Sequence, residues 1–178
     1  MQAKGQWKTM ATSLPYPIHT IAGVAAQIDQ GEDPWFALGC FLHDWWCYAV
    51  DHRQELIYEP LPAVTTLEGK QWVAFCAATV EELCRRTSFS CPSWLHQQTY
   101  QLETPWFLAS GSAQQDWLLT TTPEPFQRRN IFVGGNVLDN KYELQHTFSS
   151  SKPRWSIWSH GELQQLLEKS DILSKNDF

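Results

Sequence analysis

Residues 33–51 read DPWFALGCFLHDWWCYAVD. Asp33 is a good N-cap, and Pro34 suits the first helical position, where its missing N–H costs nothing. From Trp35 to Val50 apolar side chains occupy nearly every face, the pattern of a central helix surrounded by others. A membrane span takes about 20 residues with few charges, and His43 and Asp44 sit near the middle of this shorter stretch. The segment therefore predicts a buried helix of a globular protein. Past Asp51 it turns polar and surfaces, running to about Leu56 before Pro60-Leu61-Pro62 ends it.

Working outward, residues 18–30 place Ile18, Ile21, Ala22, Ala25 and Ile28 at helical spacing, and Gly31 closes that helix. Residues 68–86 form a third helix: Trp72, Phe75, Cys76, Thr79, Val80 and Leu83 make its apolar stripe, and Glu81, Glu82, Arg85 and Arg86 its wet face. Residues 89–96 contain Pro92 and read as a connection. Thr104 and Pro105 have the chemistry of a cap and a first helical residue, and residues 113–120 predict a fourth long helix ended by Pro123 and Pro125. Ile131-Phe132-Val133 is β-prone. Gly134-Gly135-Asn136 would suit a hairpin turn, whereas Val137, Leu138 and Leu144 suit a short helix, the preferred reading.

The expected fold is mostly α, a single-domain irregular bundle of about four to six helices, with a possible short strand or hairpin near 131–137. The expected division is a flexible arm at 1–16, a helical domain at 17–148, and a linker with an amphipathic terminal helix at 149–178.

The chain has 178 residues, 43% apolar and 18% charged, too hydrophobic and too weakly charged for disorder. Its formal charge of −6 argues against gripping nucleic acid by bulk electrostatics. The first residues have two lysines but no apolar stretch behind them, so no signal peptide is expected, and five cysteines at irregular spacing read as reduced thiols of a cytoplasmic protein.

Several constellations have chemical potential. Cys40, His43 and Cys47 are spaced i, i+3, i+7 on one helix face, and a zinc ion would need a fourth ligand from Cys76, Cys84, Cys91 or His96. Cysteine in so apolar a stretch also serves packing alone. His43-Asp44 matches the dipeptide of HD metal phosphohydrolases, but no other histidine repeats the motif. No nucleophile elbow or phosphate-binding glycine loop is present. Arg85-Arg86, Arg128-Arg129 and Lys152 with Arg154, followed by Trp155 and Trp158, offer small basic clusters for a nucleic-acid accessory role, or solvated arginines beside helix ends. The expectation is that the thiols and imidazoles fill the interior and that neither metal nor cofactor is bound. Ten tryptophans are the remaining anomaly, because exposed rings are favoured at protein interfaces.

The stretches PSWL (92–95), PWF (105–107) and PEPFQRRNIFVGGNVLD (123–139) resemble a bacterial family with the pattern P-x-W, PWF, PxxFRRRNIFV and a short helix. That region often follows an Xre-type helix-turn-helix, in genes beside nucleotidyltransferase-like ones. This chain has only seventeen residues before its first expected helix, too few for a separate DNA-binding domain. The resemblance implies a non-catalytic antitoxin or accessory component of a toxin–antitoxin, defence or mobile-element module. Its partner would be another protein (a toxin, a nucleotidyltransferase-like protein or a complex subunit), with any nucleic acid reached through that partner. The expected contact residues are Trp106, Phe126, Arg128, Arg129, Asn130 and Phe132, because arginines among aromatics are hot-spot chemistry. Charge reversal of Arg128 and Arg129 is then expected to weaken the complex without unfolding either protein.

Overall fold

Helix α1 (Ile21–Asp29) starts at Thr20, whose side chain accepts from the Gly23 N–H, and stops at Gly31, whose φ of 97° suits glycine. The computed structural model describes residues 16–139; the arm before them, and the linker and terminal helix expected at 149–178, lie outside the described residues. Helix α2 (Pro34–His43) starts as anticipated, with the Asp33 carboxylate accepting from Phe36 N–H at 2.8 Å.

The single long helix expected from 34 to 56 is broken. After His43 the backbone makes a π-helical turn over Asp44–Tyr48, a 3₁₀ turn over Val50–His52 and the short helix α3 (Arg53–Leu56). Ala49 N–H donates to the Asp44 carbonyl at 2.8 Å, one residue further back than an α-helix would bond it. That frees the Trp45 carbonyl, which accepts from Arg53 Nε at 2.9 Å. The Arg53 guanidinium also lies over the Trp45 and Trp46 rings, 5.1 and 5.3 Å from their centroids. The break is held by a residue eight positions downstream of the carbonyl it caps, so hydrophobic periodicity carries no trace of it.

The central helix is α4 (Leu67–Thr87), not α2. Every residue from Trp72 to Val80 is buried, while α2 leaves Trp35 and Phe36 49% and 65% exposed. Large apolar residues dominate α2, whereas α4 carries Gly69, Ala74, Ala77 and Ala78, which let its neighbours approach closely. A Cβ on Gly69 would come within 2.9 Å of the Asp29 carboxylate at the end of α1. Helices α1 and α6 (Glu124–Gln127) both pack on α4. Glu82, expected on a wet face, is buried as well.

Two 3₁₀ turns (Ser93–His96 and Gln98–Tyr100) lead to strand β1 (Trp106–Phe107), then helix α5 (Ser112–Thr121), α6 and strand β2 (Ile131–Phe132). The helix start anticipated at Pro105 is a strand: Trp106 N–H donates to the Asn130 carbonyl at 2.8 Å and Leu108 N–H to the Phe132 carbonyl at 3.1 Å. β1 and β2 pair in parallel, Trp106 opposite Ile131 and Phe107 opposite Phe132. The short strand expected near 131 is therefore present, but its partner lies far back in the chain rather than across a hairpin. The short helix preferred after Gly134 is instead two turns, closed by Val137 N–H on Gly134 and Asp139 N–H on Asn136. The domain is mostly α, and among the described residues no helix is long and apolar enough to cross a membrane.

Candidate functional site

The six residues expected to meet a partner converge around the small sheet, and most of them hold it together. Phe126 is fully buried against Phe75, ring centroids 5.1 Å apart. Phe132 stacks on Phe107 at 4.6 Å. Asn130 adopts φ 58°, a left-handed conformation that asparagine tolerates, and its amide donates to the Leu102 carbonyl at 2.7 Å. Trp106 is half-buried, edge-on to Trp72 at 5.2 Å. The sequence motif is thus largely a staple that docks α6 and β2 onto α4 and β1.

The arginines complete the staple. Arg129, with its side chain 6% exposed, donates to Glu81 Oε2 at 2.6 Å, to the Pro125 carbonyl at 2.8 Å and to the Leu95 carbonyl at 3.2 Å. Arg128 is half-exposed and pairs with Glu81 and Glu124. One turn along α4, Arg85 and Arg86 both grip the buried Glu82, at 2.6 and 2.8 Å. Both arginine pairs among the described residues are therefore matched by carboxylates, which leaves little field for nucleic acid. Phosphate binding needs positive charge that its own surface has not already neutralised.

Burial pushes the Glu81 and Glu82 carboxyls up, but the hydrogen bonds and charges of the paired arginines outweigh it, and both end below the ordinary glutamate value of 4.5. In the unfolded chain both titrate near that value, so their contribution is complete above it and disappears as the pH falls through the lower folded-state values. The thermal midpoint is expected to be flat above about pH 5 and to drop in more acidic solution. The drop should be shallower in Glu81→Gln; equal slopes for the two proteins would discount the ion pairs.

The other concentration of polar chemistry lies at the far end of α2. A cavity of about 450 Å³ is lined by Tyr16, Pro17, His19, Cys40, His43, Asp44 and Tyr48. On an unbroken helix Cys47 would share a face with Cys40 and His43. The extra residue in the π turn moves Tyr48 into that place and leaves Cys47 on the outside, so the anticipated Cys40-His43-Cys47 triad does not form. Cys76 lies within the core, where burial pushes its thiol up to about 12, and burial raises the Cys84 thiol too. Among the described residues no three His, Cys, Asp or Glu side chains are placed to hold a metal ion.

Asp44, 5% exposed, does find a histidine, but it is His19 rather than His43. The His19 backbone N–H and its ring Nδ1 both reach Asp44 Oδ2, at 2.7 and 2.8 Å. A carboxylate only accepts, so the ring donates to it through Nδ1. This bond ties the segment ahead of α1 to the π turn. His19 stands 25 residues upstream with no motif linking it to Asp44, so only the fold could identify the pair.

Sequence reasoning also missed the surface at the start of α2. Trp35 is edge-on to Trp72 at 5.5 Å and to Phe75 at 5.7 Å, and Trp72 in turn meets Trp106. The result is a ladder of three indoles whose outer members, Trp35 and Trp106, reach solvent. Beside Trp35 runs a groove lined by Asp29, Glu32, Asp33 and Glu68, with no lysine or arginine among its lining residues.

Comparison with protein-family models, with curated proteins and with solved structures found no match for the chain.

Proposed function

We propose that the chain is a non-catalytic protein-binding component, an antitoxin or accessory factor of a bacterial toxin–antitoxin, defence or mobile-element module. The proposed docking surface is the aromatic turn at the start of α2, and the proposed occupant is a basic segment of a partner protein. The observation that carries this reading is the exposure of Trp35 and Phe36, at 49% and 65%, on one helical turn beside a groove that carries Asp29, Glu32, Asp33 and Glu68 and no lysine or arginine. Rings kept in water lose the hydrophobic gain they would make in a core, and they recover it on binding. The acidic lining favours a cationic segment and opposes an acidic one. The assignment to a module rests on the likeness of residues 92–139 to the family described above.

The reading moves the expected contact region. Of the six residues first proposed, Trp106 remains as the outer rung of the ladder and Arg128 is half-exposed, whereas Phe126 and Arg129 are enclosed. The test is co-expression with the protein encoded by the adjacent gene, followed by affinity measurement. A Trp35→Ala/Phe36→Ala variant should bind at least about tenfold more weakly while unfolding at nearly the same temperature, since a hot-spot aromatic is worth about 2 kcal/mol or more. An unchanged affinity would sink the surface, and no complex with the neighbouring protein would sink the module.

A further inference from the structure

From the cavity at the far end of α2 we infer a second site, one that takes a small methylated ammonium group. Three rings form its walls. Tyr16 and Tyr48 stand edge to face, 6.2 Å apart at 76°, and His43 meets Tyr48 at 6.3 Å and 67°. Steeply angled rings that line one cavity stand to each other as adjacent walls of a box. A cation is attracted to an aromatic face within about 6 Å of its centroid. The Tyr16 hydroxyl donates to the Tyr48 carbonyl at 2.6 Å, which fixes one wall against the other.

The carboxyl and imidazole groups on the lining are Asp44, its hydrogen-bonded partner His19, and His43. Asp44 is the single carboxylate, nearly buried, and no lysine or arginine lines the cavity. Both hydrogen bonds from His19 end on the same oxygen, Oδ2, so the group is oriented from one side. A charge removed from water acts more strongly on a ligand than one on the surface.

The size and character of the space select the ligand class. A metal ion needs several ligating side chains, and no such group exists among the described residues. A primary ammonium carries three N–H donors that all require acceptors. Here Pro17, the Cys40 side chain and ring carbon make up most of the wall away from Asp44 and His19, and they suit N-methyl groups. About 450 Å³ is ample for a quaternary ammonium head and a short chain. The same chemistry occurs on a free quaternary amine and on a methylated lysine side chain. This inference is independent of the docking surface, which lies at the opposite end of α2.

Calorimetric titration of the full chain tests it, with choline, a trimethyllysine peptide and the uncharged carbon isostere of choline as probes. Saturable binding is expected for at least one of the two cations, with the isostere at least about tenfold weaker, the scale of a desolvated cation–π contact. The tighter of the two cations identifies the source. Tyr48→Leu keeps the wall apolar and alters a half-exposed ring, so the fold is retained; it should weaken the cation about fivefold or more and leave the isostere unchanged. Asp44→Asn should act in the same direction. Equal affinity for cation and isostere, full affinity in Tyr48→Leu, or no saturation by either cation at tens of millimolar would each overturn the site.

Discussion

Arg129→Glu is expected to lower the unfolding free energy by about 3–5 kcal/mol, a large share of what holds a domain of this size together. The native guanidinium is almost wholly enclosed, and it satisfies Glu81 together with the carbonyls of Pro125 and Leu95. A glutamate there would bury a second carboxylate beside Glu81 and leave both carbonyls without their donor. Arg128→Glu should cost about 1 kcal/mol or less, because that side chain is half-exposed and its pairs are screened by water. Denaturant titration of the two single variants separates them. The expectation that reversing both charges spares the fold is therefore narrowed to Arg128, and similar midpoints for both variants would show that Arg129 is not the buried anchor described above.

The contrast between these adjacent arginines marks the limit of what the sequence carried. Local signals read well: Gly31 closes α1, Asp33 and Pro34 start α2, and the α4 stripe runs through Trp72, Phe75, Cys76, Thr79, Val80 and Leu83, whereas the Thr20 cap, which starts α1 three residues later than expected, went unread. Each depends on residues within a turn or two of one another. Most of the errors involve partners distant in the chain, although the arginines that bury Glu82 lie only three and four residues on. Trp106 is in a strand because Asn130 and Phe132 offer it carbonyls, not because Thr104-Pro105 lacks the chemistry to begin a helix. The helix from Pro34 breaks after His43, where Arg53 captures the Trp45 carbonyl and His19 captures Asp44. Glu82 leaves the wet face because Arg85 and Arg86 can fold back over it and close it off from water. The PEPFQRRNIFV stretch drew attention for the right residues, yet its rings and guanidinium groups mostly serve the fold. The exposed rings of α2 were hidden in the most hydrophobic segment, where composition alone argues for burial.

Phe75→Ala is expected to be as damaging as Arg129→Glu, for a different reason. Phe75 is the junction at which four rings meet: Phe126 at 5.1 Å, Trp72 at 5.3 Å, Trp35 at 5.7 Å and Trp106 at 6.3 Å. It connects α2, α4, α6 and β1, so truncation opens a cavity that no single element can close by shifting. A buried phenylalanine replaced by alanine costs about 3–5 kcal/mol, and the upper part of that range is expected because the edge-to-face contacts are lost as well. Trp35→Ala removes one rung of the same ladder from its solvent end, where water fills the space, and should cost about 1 kcal/mol. The two variants thus exchange their effects. Phe75→Ala should lose stability first and partner affinity only through unfolding, whereas Trp35→Ala should lose affinity at nearly full stability. Unfolding free energies within about 1 kcal/mol of each other would mean that the ring junction is not the centre of the core.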